Sequence, residues 1–288
     1  MYNVRRLRLL RELSHRGTLA AVAEALGHNP SSVSHQLTML EREVGVRLLE
    51  PAGRKVRLTA AALVLVEHTE TILLELERAE AAMAATRTEV TGTIRMATFQ
   101  TAGHALMPAA IATLAATYPG LDVDLTHVDA EQALPALVAR EFDLVLHEQY
   151  PGAPVPPITG VTVDRLAEDP MLLATPAGVT TLDQAARLPW AMEPEDTRAG
   201  AWARSVCRAA GFEPLVRYRS SDVLLHRELV RHGLAASLLP ELVLTDASGL
   251  RVTPLPGAPC RSIMLAVRTG SLTTPALTAV IDVLKTLR

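Results

Sequence analysis

The chain has two cysteines, Cys207 and Cys260, too few and too far apart for a disulfide framework or a four-ligand metal site. It has no run of 18 apolar residues, which argues against a membrane-spanning helix. The start, Met1-Tyr2-Asn3-Val4-Arg5-Arg6, leads into a charged helix rather than an apolar signal core, so the expected location is the cytoplasm. Neither a GxGxxG nor a GxxxxGK[ST] phosphate loop is present, and a Gly-x-Ser-x-Gly nucleophile elbow is missing. The nine histidines show no His-x-x-x-His or His-Glu-x-x-His spacing. These absences remove the common routes to catalysis, so no enzyme activity, cofactor or metal is expected. The two thiols read as buried and inert rather than as a redox pair.

What is present is a long, apolar, two-tempered chain. At 288 residues with 49% apolar content it is long enough for two or more packed units. The net charge of −3 is unevenly spread. Residues 1–59 carry ten Arg or Lys against five Glu, a net of +5, whereas residues 60–91 carry two Arg against six Glu. A basic head on an acidic body suits a module that faces phosphates, because only the contacting face must attract a polyanion.

Three segments follow: residues 1–59 with short helical periodicities and tight turns, an unbroken helical pattern over 60–90, and an α/β stretch over 91–288. In the last, β-like runs at 93–97, 121–126, 144–147, 171–175, 234–238 and 263–267 alternate with helices, which predicts βαβ units and a mostly parallel sheet. The proline-rich stretch 150–157 reads as a hinge between two lobes.

In the head, Leu7 and Leu10 mark one helical face over 4–15, closed by Gly17. Thr18 caps a second helix over 19–26, and Gly27-His28 makes the turn. Asn29 is an N-cap, with Pro30 at the first helical position, where its missing N–H costs nothing. The third helix, to about Val44, buries Val33, Leu37 and Leu40 and leaves Ser31, Ser32, Ser34, His35 and Thr38 on the other face. Short polar groups at a helix N-terminus suit phosphates and base edges in a major groove. Residues 46–49 and 55–58 read as a hairpin with Pro51-Ala52-Gly53-Arg54 at its tip, so Arg54 and Lys55 can reach a flanking phosphate.

The run Gly17-Thr18-Leu19-Ala20-Ala21-Val22-Ala23-Glu24-Ala25-Leu26, then Pro30-Ser31-Ser32-Val33-Ser34-His35-Gln36-Leu37 and Leu40-Glu41-Arg42-Glu43-Val44-Gly45-Val46-Arg47-Leu48-Leu49, resembles the N-terminal signature of LysR-type transcriptional regulators. Gly53-Arg54-Lys55-Val56-Arg57-Leu58-Thr59 extends the resemblance through the wing. Two positions depart from it: His35 stands where the family usually has Arg, Lys or Gln, and Leu49-Glu50-Pro51 replaces Phe-Glu-Arg, removing a cation beside the wing. The resemblance implies a winged helix-turn-helix, a linker helix and a two-lobed, Rossmann-like effector domain akin to periplasmic binding proteins.

Along the linker, Leu58, Ala62, Leu65, Thr69, Ile72, Leu76, Ala79 and Met83 alternate spacings of four and three, a heptad seam. The resemblance implies antiparallel pairing with a second copy, with Leu65, Ile72, Leu76 and Met83 as dimerisation residues and a dimer or tetramer as the assembly. In the effector domain, lobe I is expected over about 92–160 and 266–288 and lobe II over about 161–265. The order strand, polar turn, helix makes Thr98, Phe99, Gln100 and Thr101 the first candidate effector contacts. His147 and Glu148 end a neighbouring strand, Met192 and Glu193 follow the Leu188-Pro189-Trp190 turn, and Ser237 is an added hydroxyl on the returning strand. Glu148 and Glu193 would repel a second acid group, which directs the effector towards an amino acid or another polar metabolite.

The expected function is a sequence-specific DNA-binding regulator modulated by a small-molecule effector. Its partners would be double-stranded DNA with a pseudo-palindromic site, the effector, a second copy and RNA polymerase, with no membrane involved. The competing reading is a small-molecule-binding protein whose head serves only dimerisation or protein contacts.

Overall fold

A computed structural model describes residues 2–53, 55–87, 89–244 and 248–287. The chain divides into two compact units, 1–86 with 269–274, and 87–268 with 275–288.

The first unit contains α1 (Val4–Arg16), α2 (Leu19–Ala25), α3 (Pro30–Val44), β1 (Leu49–Ala52), β2 (Lys55–Leu58) and α4 (Ala60–Ala84). Its helices begin where a side chain can take up free backbone N–H groups. The Asn3 side chain accepts from Arg5 and Arg6, Thr18 from Ala21, Asn29 from Ser32 and Thr59 from Ala62. α1 and α3 end at left-handed turns on Gly17 and Gly45, where φ is 74° and 78°. Leu7, Leu10, Val22, Val33, Leu37, Leu40, Leu48 and Ala62 form the core. β1 begins at Leu49, three residues later than the sequence pattern suggests, and Pro51 lies within it rather than at the tip. A two-stranded ribbon tolerates a proline because one side of each strand has no ladder to lose.

The linker helix stops at Ala84, short of the expected residue 90, and its face is not one seam. Ala62 and Thr69 are fully buried within their own unit, and Leu65 is half-buried against the head core. Leu73, Glu77 and Ala81 are buried as well. The 3-10 turn Thr269–Ser271 packs on α4, where a side chain at Gly270 would lie 2.9 Å from the Leu74 carbonyl oxygen. Ile72, Leu76 and Met83 remain exposed, as do Leu63 and Val64.

The second unit runs β3 (Gly92–Thr98), α5 (Gln100–Ala105), α6 (Met107–Thr117), β4 (Leu121–His127), α7 (Ala130–Val138), β5 (Leu144–Gln149), β6 (Val161–Thr175), α8 (Leu182–Ala185), β7 (Pro189–Met192), α9 (Arg198–Ala209), β8 (Leu215–Arg219), α10 (Val223–Arg231), β9 (Ser237–Pro240), β10 (Arg251–Pro254), β11 (Cys260–Arg268) and α11 (Pro275–Thr286). The expected polar turn after β3 is therefore the short helix α5. The sheet is mixed rather than mostly parallel. β3 pairs in parallel with β4 and β5, and β7 with β8, whereas β11 runs antiparallel to β5 and β6, and β6 to β9 and β10.

β6 belongs to both lobes. From Val161 to Pro170 it pairs with β11, and from Met171 onward with β9 and β10. The chain thus changes lobe near Asp169 and Pro170, not in the 150–157 stretch, and returns along β11 from Cys260 rather than near residue 266. Each lobe buries its own core, Ala97, Leu134, Leu137 and Val145 in one, Met171, Leu173, Trp190, Trp202 and Leu238 in the other.

Candidate functional site

On the head, α3 places Ser32 and His35 at the surface with Thr38, while Ser34 is half-buried. Several of the expected contacts are already engaged. Thr18 and Asn29 serve as caps, Ser31 Oγ donates to Asn29 Oδ1 at 2.7 Å, and Thr38 Oγ1 donates to the Ser34 carbonyl at 3.1 Å. Arg54 and the side chain of Lys55 lie outside the described residues. Beside α3 a groove of about 530 Å³ is lined by Arg5, Arg6, Arg8, His28, Ser32 and Gln36, among others. Arg6 is held in place by Gln36 and Glu43. Arg5 and Arg8 are exposed and make no ion pair among the described residues. The sequence reading counted these arginines as charge but did not place them: helix phase alone does not show which face of α1 adjoins α3.

Charge also ties the head to its linker. Glu12 is fully buried and accepts from Arg11 and Arg16, while Glu70 of α4 accepts from Arg11 at 2.8 Å and lies 3.0 Å from His15 Nε2. Burial would raise the Glu70 carboxyl, but hydrogen bonding and charge from His15 and Arg11 outweigh it and hold it low.

Between the lobes of the second unit lies a cavity of about 470 Å³, within the range of small-metabolite sites. Of the expected contacts, Phe99, Gln100, Thr101, Glu148 and Glu193 line it. Met192 and Ser237 line instead a small void of about 20 Å³ that shares Glu193 and Val223 with the cavity. Thr98 is buried, donates to the Phe99 carbonyl and packs where a Cβ on Gly103 would be. His147 is 1% exposed and does not line the cavity; burial lowers its pKa to about 4.

The centre of the cavity is a residue the sequence reading passed over. Arg261 of β11 is 2% exposed. Its Nε and Nη2 donate to Asp169 at 2.9 and 2.7 Å, its Nη1 donates to Glu148 and its Nη2 to the Thr101 hydroxyl. The guanidinium also lies 5.3 Å from the centre of the Phe99 ring. Burial would lower its pKa, but Glu148, Tyr150 and Asp169 more than reverse that. Nothing in a Cys-Arg-Ser run marks such a residue, because its partners are 92 and 113 positions away.

Hydrogen bonds of Gln100 and Glu131 join the lobes. Gln100 donates to Asp222 at 2.8 Å and accepts from the Val223 N–H at 3.2 Å, and Glu131 accepts from the Arg198 N–H at 3.2 Å. Asp222 caps α10, and Thr197 caps α9. Gly200 is fixed by space: a Cβ there would fall 1.9 Å from the Pro194 carbonyl oxygen, which lets the α9 N-terminus fold tightly under the cavity wall. Burial, reinforced by Glu148, raises the Glu193 carboxyl to about 8, and burial raises Glu148 despite Arg261. Among the described residues no group of His, Cys, Asp and Glu could hold a metal ion, and no helix is long and apolar enough to cross a membrane.

Residues 4–63 match the model of the bacterial regulatory helix-turn-helix protein, lysR family, and residues 87–288 match that of the LysR substrate binding domain. The chain belongs to the LysR family of bacterial transcription regulators, built as a DNA-binding head followed by an effector-binding domain. It is 26% identical to a hydrogen peroxide-inducible genes activator of Haemophilus influenzae, covering 93% of this chain and 91% of the relative. It is 27% identical to OxyR of Escherichia coli, over 93% and 90%. Its fold is similar to that of full-length OxyR from Pseudomonas aeruginosa, with a TM-score of 0.70 at 19% identity, over 99% of this chain and 95% of that one. It is also similar to CbnR bound to its target DNA, with a TM-score of 0.53 at 21% identity, over 99% of both chains.

Proposed function

We propose that this regulator binds its DNA through the α3 face and the groove between α1 and α3, and responds to a small polar metabolite held between the lobes of its second unit. The observation that carries the DNA reading is the pair of uncommitted cations, Arg5 and Arg8, next to the polar start of α3. Phosphate neutralisation by such residues makes affinity fall with salt. Ser32 and His35 face outward for base contacts, and the wing residues Arg54 and Lys55 extend the footprint. The exposed Ile72, Leu76 and Met83 share one flank of α4 and are the surface for a second copy, which sets two heads on a pseudo-palindromic site. The setting is the bacterial cytoplasm, with RNA polymerase a further partner.

A gel shift with the DNA upstream of the protein's own gene, run across a salt series, tests this. Arg5→Ala and Arg8→Ala are each expected to weaken binding on all sequences and to reduce the log–log salt slope by about 1. An absence of any shift at low salt would sink the DNA reading.

A further inference from the structure

We infer that the cleft selects an organic amine without a carboxylate, its ammonium group seated beside Glu193, and that free amino acids and dicarboxylates are poor ligands. The inference rests on the reading of the cleft as the effector site. Three observations lead to it.

The first is the balance of charge. Asp129, Glu131, Glu148, Glu193, Asp196 and Asp222 line the cavity, and the cations facing it are Arg261 and, when protonated, His127. The second is that Arg261 is taken. Two carboxylates and a hydroxyl already occupy its guanidinium, so it is a built-in counter-ion for Glu148 and Asp169 rather than a receptor for a ligand's carboxylate. A ligand acid would have to displace one of them and leave a buried charge unpaired, a change that costs several kcal/mol. Gln100 is likewise spent, its amide bridging Asp222 and Val223.

The third observation is independent of the carboxylates. His226 is 2% exposed and its Nε2 has no hydrogen-bond partner. Burial lowers its pKa to about 4, and a bond to the Ser220 backbone occupies its other nitrogen. The ring is therefore neutral at pH 7, with an unused lone pair. It lines the void of about 20 Å³ that meets the cavity at Glu193. A space of this size holds one water-sized group, and a primary ammonium is such a group, with three donors to place. Glu193 and the His226 ring offer acceptors there, and the stem of the ligand lies in the adjoining cavity, past Val223.

Binding then has a proton signature. The groups around Glu193 are Glu148, Glu131, Tyr150 and Arg261, with Thr197 and His226 on the second lobe. Free Glu193 holds its proton up to about pH 8. An ammonium favours the ionised form, so the amine should bind with release of a proton, and more tightly as pH rises from 6.5 to 8.5.

The test is calorimetry and thermal shift on the full chain with matched pairs: putrescine against L-ornithine, agmatine against L-arginine, and succinate as the acid. The amines are expected to bind at least tenfold tighter than their parent amino acids, with proton release, and Glu193→Gln should reduce amine affinity about tenfold. Because that variant could perturb the fold, the pH series on the unaltered protein stands as the second measurement. Amines and amino acids binding equally, a pH-independent amine affinity, or amine binding unaltered in a folded Glu193→Gln would each overturn the inference. Binding of succinate or of the amino acids alone would overturn it while leaving the cleft as the effector site. No binding by any probe would overturn both, with the DNA reading still decided by the gel shift.

Discussion

At the scale of residues, the second unit carries a stored conflict at Glu193. Its carboxyl keeps a proton in the fold up to about pH 8, whereas the unfolded chain loses it near 4.5. The folded state therefore binds more protons between these values, and stability falls as pH rises across that window, then levels off. Glu193→Gln removes the ionisation but keeps the shape, so we expect it to raise the melting temperature of the ligand-free protein at pH 8.5 and leave it nearly unchanged at pH 5. An equal melting temperature at pH 8.5 would show that Glu193 ionises without cost. The cysteines behave in the opposite sense to a sensor. Burial raises Cys207 to about 12 and withholds the thiolate that reacts with peroxide; Cys260 is half-buried rather than buried as expected, and burial with the charges of Glu168 and Asp169 raises it as well. Despite the names of its relatives, the protein is expected to keep its DNA affinity and its free-thiol count under mild peroxide, read by gel shift and thiol titration.

At the scale of elements, α4 turns one face to the head and keeps the other exposed. The inward face, Ala62, Thr69, Leu73 and Ala81, is committed within its own unit. Ile72, Leu76 and Met83 lie at helical spacing on the flank beside it, with Leu76 42% exposed. Leu76→Glu costs the monomer little and places a charge in any pairing surface, so the variant is expected to sediment as a monomer; an unaltered sedimentation coefficient would remove α4 from the interface. The head was legible in the sequence because each helix there starts at a capping side chain and α1 and α3 end at glycine, all within a few positions. The linker was legible as a helix but not in its facing, since α4 packs on α1 and on the turn at 269–271, partners distant in sequence. In the effector domain the strands 121–127 and 144–149 followed the pattern. The short β7, β8 and β10, carrying Pro189, Arg217, Arg219 and Pro254, did not, because long-range pairing rather than local preference makes them strands. The cleft was half legible: Gln100, Thr101, Glu148 and Glu193 sit at strand and helix ends, whereas Arg261, Asp169 and Asp222 acquire meaning only when the lobes are assembled.

At the scale of the whole molecule, the sensor is discontinuous in a way the head is not. The elements of the head, α1 through β2, are complete by Leu58. The sheet of the first lobe has β11 at its middle, flanked by β5 and β6, and β11 begins only at Cys260. During synthesis the first lobe therefore stays open along its centre, its strands 92–98, 121–127 and 144–149 made more than a hundred residues before β11. The strand that closes the lobe also delivers Arg261, so until it arrives Glu148 and Asp169 have no counter-ion and the cleft has no floor. The strand that completes the first lobe is thus also the one that completes the cleft.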